Sequence, residues 1–337
     1  MRVDARSRAA LPAVPLVDLG SGPSFPADGT PFWQAAHALL DDLERRVGRR
    51  RVAALDAVSR RWIARSRSPY GAELGTIAAR LERPGAHLLN LSYEWASCTV
   101  AVRPDPSGGV RMLRAFDWPL EGIGRDMFAL CRSGGAGRWL GLSWPLFVGE
   151  VTVLAPSRFA IALNLAPPKT WFVGGRRAFP PLEIALNLVE RMATRRLPPA
   201  HLLRLVAERA ENVREAVRML AETPVARSVI FVVAGLDPAE TRVIDRLPTR
   251  AEVRAADCAA NHFAQPSWPG IPLDDSFERA NALARATDVP FAWCRAPVWN
   301  ERTRYVAEMN ARETHLDVFS MEAGDGAVTR PTRIEVP

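Results

Sequence analysis

The sequence predicts an α+β fold in which helices cover the faces of β-sheets, because strand-like, helix-like and again strand-like segments follow one another along the chain. Residues 98–103 and 110–116 are apolar and β-branched and flank a turn-forming stretch, which is typical of a β-hairpin. Apolar residues recur at helical spacing over 181–195 and 200–222, with arginine and glutamate between them. A continuous apolar run at 228–234 has the length of a strand.

Further strands are predicted on both sides of this helical region. Residues 148–154 and 159–165 are apolar and are separated by the turn-forming triplet Ala155-Pro156-Ser157. Residues 305–309 and 315–320 suggest a final strand pair. A chain of 337 residues with 48% apolar content is long enough to bury a sizeable core, so we expect one large globular unit.

The first part of the chain predicts two helices, at about residues 31–48 and 51–66. One side of the first helix is apolar and is formed by Phe32, Trp33, Leu39, Leu40, Leu43 and Val47. Such a face normally packs into a core, so we expect a helical section that lies on the rest of the protein.

The net charge of +7 invites a nucleic-acid interpretation that the charge pattern does not favour. Lys169 is the single lysine, so the remaining cations are arginines, which is typical of a high-GC coding bias. The arginine clusters 45–46 and 49–51 alternate with acidic residues on a predicted helix and indicate a solvated face. They occur without a finger, recognition-helix or stacking motif, so we expect no nucleic-acid partner.

The cysteine pattern predicts free thiols and no metal site. Cys98, Cys131, Cys258 and Cys294 are widely spaced and lack the paired spacing of zinc ligands. Free thiols are typical of a reducing compartment. Residues 9–17 are mildly apolar but are interrupted by prolines and flanked by aspartates, which makes a poor signal peptide, and no run approaches transmembrane length. We therefore expect a cytoplasmic protein without a membrane-spanning segment.

Cys98 is the most informative residue, because polar motifs are arranged around the strand that it begins. A single cysteine in a strand is usually buried packing. Here the accompanying motifs are, in chain order, Tyr93-Glu94, Cys98-Thr99-Val100, the turn at 105–109, Arg114 and Asp117. Downstream follow Trp144-Pro145, Gly149, Pro156-Ser157-Arg158-Phe159, a strand that ends at Asn164, and Ala260-Asn261-His262-Phe263.

These ordered motifs, over residues 85–320, resemble the N-terminal nucleophile (Ntn) hydrolases of the acid ceramidase and N-acylethanolamine-hydrolysing acid amidase group. That group is related to the choloylglycine hydrolases and the penicillin acyltransferases. The resemblance implies a four-layer αββα sandwich and self-cleavage before the nucleophile. It therefore divides the chain into an N-terminal helical section, 1–97, and a catalytic section, 98–337, which stay associated as subunits.

The resemblance implies a linear N-acyl amide as the substrate and an acyl group that passes through a Cys98 thioester. After cleavage the freed α-amino group serves as the base. Arg114 would stabilise the thiolate, and Asp117 would orient the amino group, with a structural ion pair to Arg114 as the alternative. Asn164 and Asn261 would donate to the developing oxyanion. No cofactor is expected.

Four further residues are weaker candidates for binding substrate. Tyr93 and Glu94 precede the cleavage point and serve either substrate binding or packing. Trp144 lies in the segment 138–147, whose aromatic residues beside glycine and proline predict an exposed apolar pocket wall or lid. Glu150 lies in an apolar stretch, as a buried acid near a site would.

Four alternatives stay open. His262 invites a Cys-His pair, but an Ntn enzyme carries its own amine, and adjacent strand residues point to opposite faces. An acyltransferase on the same scaffold, in which an amine or thiol replaces water, differs from a hydrolase only in the pocket. A binding protein of this fold would not process itself. The apolar face of the first helix could also border an acyl-chain pocket or contact a membrane.

Overall fold

The computed structural model describes residues 10–22, 31–91, 98–173, 176–177, 180–273 and 275–336. Its helices are α1 Pro31–Val47, α2 Arg49–Arg65, α3 Gly71–Leu81, α4 Ala86–Leu91, α5 Ile123–Asp126, α6 Pro180–Ala193, α7 Pro199–Arg209, α8 Val213–Glu222 and α9 Ser276–Ala284. Its strands are β1 Leu16–Gly20, β2 Cys98–Pro104, β3 Val110–Asp117, β4 Phe128–Gly134, β5 Gly137–Ser143, β6 Thr152–Ala155, β7 Phe159–Leu165, β8 Phe172–Val173, β9 Arg176–Arg177, β10 Val229–Ala234, β11 Arg242–Arg246, β12 Ala251–Arg254, β13 Cys258–Ala259, β14 Thr303–Asn310, β15 His315–Glu322, β16 Gly326–Ala327 and β17 Thr332–Glu335.

Most strands belong to two large sheets that face each other. Sheet 1 has eight strands in the order β1-β4-β5-β6-β7-β10-β11-β12. Sheet 2 has the order β13-β2-β3-β14-β15-β16, with β17 paired to β15. Thr152 of sheet 1 and Tyr305 of sheet 2 join their hydroxyl groups at 2.8 Å across the space between the sheets. Buried apolar side chains from both sheets fill the rest of that space.

Helices cover the outer face of each sheet. Helix α7 packs on β4 to β7 and α8 on β10 to β12, so both lie on sheet 1. Helix α9 packs on β2 and β13, and α5 packs on β15, so both lie on sheet 2. The protein is therefore a four-layer αββα sandwich, and the predicted α+β fold class is confirmed.

The hairpin predicted at 98–116 and the predicted strands at 159–165 and 228–234 are confirmed, because their sequences are largely apolar on both faces. Every residue of β7 and β10 is buried, as continuous apolar strands between two layers must be. The helix predicted at 200–222 is two helices in the structure. Residues 210–212 separate α7 from α8, and the side chain of Asn212 accepts a hydrogen bond from the Glu215 N–H at 3.0 Å, which caps the second helix.

Two predictions around residues 138–154 are wrong. The strand expected from 148 begins only at Thr152, because the preceding residues form a loop in which Leu146 has a φ of 71° and the Glu150 N–H donates to the Ala200 carbonyl. Residues 138–147 are not an exposed lid. They begin as strand β5 and continue into buried residues, because their aromatic side chains belong to the core.

The N-terminal section contributes more than the two predicted helices. Helices α1 and α2 confirm those predictions, and the apolar side of α1 is buried in the core at Trp33, Leu39, Leu40 and Leu43. Helices α3 and α4 extend the section towards Cys98. Strand β1 pairs in parallel with β4 of sheet 1, so the section is not purely helical. Among the helices described, none has the length and hydropathy needed to cross a membrane.

Candidate active site

Cys98 is the first residue of β2, the second strand in the order of sheet 2. Its side chain is buried, with 1% of the residue exposed. Its backbone N–H donates to Oδ1 of Asn261 at 2.9 Å, which joins two residues that are far apart in the chain. Across the hairpin Cys98 pairs with Phe116 of β3. Strand pairing therefore brings Arg114 and Asp117, on either side of Phe116, close to the cysteine.

Arg114 and Asp117 lie on opposite faces of β3, because side chains alternate along a strand and these residues are three positions apart. Arg114 points to sheet 1, where it donates to Oδ1 of Asn164 and, at 2.8 Å, to the carbonyl of Leu163. Asp117 points to the helical layer outside sheet 2, where α9 packs. The two charged groups therefore approach Cys98 from different sides.

Burial raises the pKa of the Cys98 thiol, and the surrounding charges partly oppose this effect. The positive charge of Arg114 is the largest influence that lowers this pKa, and Arg279 acts in the same direction. The negative charge of Asp117 raises the pKa of the thiol, whereas the backbone N–H of Asp117 lowers it. The location of Arg114 agrees with its predicted effect on the thiolate, but in the uncut chain burial dominates.

Asp117 is bonded to residues that the sequence did not single out. Its carboxylate accepts hydrogen bonds from Thr303 at 2.8 Å, Asn300 at 2.9 Å and Arg279 at 3.4 Å. The alternative considered from sequence, an ion pair between Asp117 and Arg114, is replaced by one with Arg279. Burial is the main reason that the pKa of Asp117 is raised, and its three partners each lower it.

Arg279 of α9 connects the site, and the sequence analysis missed it. Its guanidinium donates to Oδ1 of Asn261 at 2.9 Å and to Oγ1 of Thr99 at 3.0 Å, besides its contact with Asp117. The side chain is 3% exposed. An arginine in an amphipathic helix resembles the many solvated arginines of this chain, so the sequence carries no signal that separates it from them.

The amide groups of Asn164 and Asn261 are oriented by the two arginines. A guanidinium only donates hydrogen bonds, so the amide atoms that face Arg114 and Arg279 are the oxygens. Nδ2 of Asn164 donates to the carbonyls of Ala259 and Ala260, at 3.2 and 3.3 Å. Nδ2 of Asn261 donates to the carbonyl of Leu165 at 2.7 Å. Among the described residues, Nδ2 of Asn164 therefore has two acceptors and Nδ2 of Asn261 has one, which leaves the Asn261 amide more capacity for a further bond.

Of the four weaker candidates, two are buried in packing elsewhere and two lie outside the described residues. Trp144 is fully buried and packs against the rings of Phe116, Trp118 and Phe147. Glu150 lies between sheet 1 and its helices, 3.6 Å from Arg132, and burial raises its pKa to about 7. Tyr93 and Glu94 lie outside the described residues.

His262 is turned away from the cysteine and towards α9. Its Nδ1 lies 2.7 Å from Oγ of Ser276, and its ring stacks on Phe277. Burial lowers its pKa. The alternation argument that set aside a Cys-His pair therefore agrees with the observed orientation.

Tyr305 is a second group that the sequence analysis missed. It pairs with Phe116 across β14 and β3, and their rings stack at 4.7 Å. Burial raises its pKa, and its pairing with Phe116, the cross-strand partner of Cys98, places the phenol beside the site. Within the described parts of the chain, no group of three or more histidine, cysteine or acidic side chains is arranged to hold a metal ion.

The sequence has relatives of known activity. Residues 183–289 match the family model described as acyl-coenzyme A:6-aminopenicillanic acid acyl-transferase. N-acylethanolamine-hydrolyzing acid amidase from Oryctolagus cuniculus is 30% identical over 162 residues, which is 47% of this chain and 42% of that protein. The enzyme of the same name from Mus musculus is 27% identical over 239 residues, which is 69% of this chain and 57% of that protein. The chain thus spans about half the length of the curated relatives that it matches.

One of the solved structures that match the chain is the Caenorhabditis elegans ortholog of N-acylethanolamine-hydrolyzing acid amidase. It is 19% identical, with a TM-score of 0.48, and the match covers 64% of this chain and 93% of that one. The chain is thus similar in sequence to the N-acylethanolamine-hydrolyzing acid amidases and to the acyl-transferase family model, which confirms the resemblance found in its motifs.

Proposed function

We propose that this protein is a cysteine amidase that hydrolyses a linear, non-peptide N-acyl amide. The observation that carries the proposal is the convergence of Cys98, Arg114, Asp117, Asn164 and Asn261 at the start of β2. These residues come from three separate parts of the chain, and no packing requirement demands a thiol, two amides and two charged groups in one buried cluster. The names of the relatives support amide hydrolysis as the reaction.

The first step in the proposal is self-cleavage between Ser97 and Cys98. The Cys98 thiol attacks the carbonyl carbon of Ser97, the peptide C–N bond breaks, and the released nitrogen takes up a proton. Water then hydrolyses the thioester, which leaves fragments 1–97 and 98–337. The site supports this step because Oδ1 of Asn261 already accepts the Cys98 N–H and would accept the freed amino group in the same place.

In turnover the free α-amino group of Cys98 acts as the base, because its reference pKa, close to 8, leaves it partly neutral near neutral pH. The thiolate attacks the amide carbonyl and the leaving amine takes a proton from the α-ammonium. Water then hydrolyses the thioester, releases the carboxylate and regenerates the thiol. Arg114 stabilises the thiolate, and Nδ2 of Asn261, which has one acceptor among the described residues, donates to the oxyanion.

The small-molecule partner would therefore be an N-acyl amine, and the processed subunits would stay together. A cleft of about 370 Å³ lies beyond the end of β7, lined by residues that include Pro167, Lys169 and Pro269. Because β7 carries Asn164, this cleft is a candidate approach for substrate. All four cysteines are free thiols, which supports a reducing, cytoplasmic location.

Intact-mass analysis tests the proposal. We expect purified protein to give two masses that correspond to 1–97 and 98–337, and Cys98→Ala to give one uncut chain. Cys294→Ala removes a cysteine elsewhere and is the matched control, which should still process. The processed protein would then be offered N-acyl ethanolamines, ceramides, N-acyl amino acids, bile-acid conjugates and penicillins. A fully active single chain that begins before Cys98 would contradict the mechanism.

An acyltransferase is the second candidate, because the matching family model carries the name of an acyltransferase. The same thioester would form, but an amine or thiol acceptor would attack it in place of water. Product analysis with and without a primary amine separates the two functions. Acyl transfer predicts an amide product that grows at the expense of the free acid as the amine concentration rises.

A further inference from the structure

The carboxylate of Asp117 accepts two hydrogen bonds from a short turn that the proposed mechanism does not use. Asp117 is 1% exposed. Oγ1 of Thr303 donates to its Oδ1 at 2.8 Å, and Nδ2 of Asn300 donates to its Oδ2 at 2.9 Å. Both donors come from the turn that begins β14, whereas the third donor, Arg279, comes from α9 on the other side. The carboxylate is therefore fixed between two independent elements.

The turn is built so that both donors are aimed at the carboxylate. The N–H of Asn300 donates to Oγ1 of Thr303 at 3.0 Å, so the hydroxyl oxygen is occupied as an acceptor and its hydrogen is directed to Asp117. Oδ1 of Asn300 accepts the N–H of Arg302 at 2.9 Å, which leaves its NH₂ group to donate. These bonds within the turn fix the direction of both side chains independently of the carboxylate.

The pairing of β14 with β3 brings the turn to Asp117. Thr303 pairs with Asp117 and Tyr305 pairs with Phe116. The step from one pair to the next therefore spans two residues in β14 and one residue in β3. Such an irregularity is a β-bulge, which turns a side chain away from the direction that a regular ladder would give it. The N–H of Trp118 donates to the carbonyl of Arg302 at 2.7 Å and closes the bulge.

We propose that Asn300 and Thr303 are positioning residues that hold Asp117 ionised and correctly aimed for the Cys98 amino group. The inference rests on the proposed function and on the role that the resemblance implies for Asp117, the orientation of that group. The titratable groups around the carboxylate are Arg279 of α9, Arg114 of β3, Arg304 of β14 and Cys98 of β2. Asn300 and Thr303 are uncharged donors, so their loss removes hydrogen bonds to the carboxylate and leaves the arginine charges in place.

The sign of the effect follows from which form the donors favour. A hydrogen bond to the carboxylate stabilises the ionised form, so removing a donor raises the pKa of Asp117. If ionised Asp117 is required, activity rises with pH as this group loses its proton. Removing a donor therefore moves the acid limb of the pH profile to higher pH. One hydrogen bond to a charged group corresponds to a shift of about one pH unit.

The experiment compares Thr303→Val, Thr303→Ser and Asn300→Ala with the wild type. We expect Thr303→Val and Asn300→Ala to raise the acid limb of self-cleavage and of turnover by about one pH unit, and Thr303→Ser to restore it, because serine keeps the hydroxyl. Thr241→Val removes a buried threonine hydroxyl just before β11 and is the matched control, which should leave the limb unmoved. If Thr303→Val does not fold, Asn300→Ala carries the test.

A direct titration separates this inference from the proposed function. The carboxyl carbon of Asp117, observed by NMR in protein with ¹³C-labelled aspartate and assigned by its loss in Asp117→Asn, should titrate at higher pH in Thr303→Val than in the wild type. This readout needs no substrate, so failure of amide hydrolysis alone does not remove it. An Asp117 titration that is unchanged in folded Thr303→Val, or equally changed in Thr303→Ser, would overturn the inference.

Discussion

The two asparagines beside Cys98 use their amide groups differently, although the sequence presents them as equivalent. Nδ2 of Asn164 has two backbone acceptors, the carbonyls of Ala259 and Ala260. Asn261 has one hydrogen bonded to Leu165, and its oxygen accepts from Cys98 and Arg279. The second hydrogen of Asn261 is therefore the better candidate for the oxyanion.

This difference predicts unequal effects of the same substitution. Asn261→Asp should lower kcat by about a hundredfold or more with KM little changed, because it removes a donor and adds negative charge where negative charge develops. Asn164→Asp is the matched variant. We expect it to lower the melting temperature and to reduce kcat less than Asn261→Asp does, because the Asn164 amide holds backbone carbonyls. Both effects are measured on processed protein. Equal losses of kcat in the two variants would contradict the assignment.

At the scale of elements, a buried ionic cluster joins the N-terminal helices to sheet 1. Arg204 of α7 forms ion pairs with Glu73 of α3 at 3.0 Å and with Glu208 at 2.9 Å. Arg132 of β4 and Glu150 of the loop before β6 lie beside this group. A Cβ at position 141 would lie 2.1 Å from Oε2 of Glu150, so the glycine of β5 makes room for the carboxyl group. Burying these charges makes stability depend on pH.

The raised pKa of Glu150 determines how stability changes with pH. Its pKa is about 7 in the folded protein and 4.5 as a reference, so between these values it is neutral when folded and ionised when unfolded. Unfolding then releases a proton, and stability falls as pH rises through this window. Glu150→Gln removes this loss, so its stability relative to wild type should improve between pH 5 and 8 by on the order of 3 kcal/mol. Denaturant unfolding at both pH values measures it.

Glu190→Gln is the control for this measurement, because it removes a carboxylate from the surface, where it pairs with Lys169. It corrects for the general effect of losing an acidic group. If Glu150→Gln and wild type differ by the same free energy of unfolding at pH 5 and pH 8, Glu150 is ionised in the folded protein over the whole range and the prediction is wrong.

At the scale of the whole molecule, the section before Cys98 shares one core with the section after it. Strand β1 lies in sheet 1, and apolar residues of α1 to α4 join the main hydrophobic cluster. The side chain of Asn90, close to the proposed cleavage point, donates to the Leu146 carbonyl at 2.6 Å and accepts the Val148 N–H at 2.8 Å. Cutting between Ser97 and Cys98 breaks none of these contacts.

We therefore predict that the cleaved fragments stay together under native conditions and separate only on unfolding. Size-exclusion chromatography of processed protein should give one peak that contains both fragments, and the same sample in urea should give two. Uncut Cys98→Ala protein is the reference for the native elution volume. Separate elution of the two fragments in native buffer would contradict the shared core.

The sequence predicted individual strands and helices better than it predicted the contacts among them. The hairpin of β2 and β3, the buried strands β7 and β10 and the helices α1 and α2 follow from periodicity and turn residues, which are local properties. Predictions failed where tertiary contacts override local pattern: the loop before Thr152 is fixed partly by a bond to Ala200, and β1 is held in sheet 1 by pairing with β4.

The sequence by itself determined the α+β class, the strand that Cys98 begins and the set of motifs that resembles the Ntn hydrolases. Only the tertiary structure decided which groups meet there. Arg279 and Thr303 reach Asp117 because α9 packs on β2 and because a bulge aligns β14 with β3. The faces used by Arg114 and Asp117 depend likewise on strand pairing. Register and helix packing join residues far apart in the chain, and local propensity does not specify which distant segments will pair.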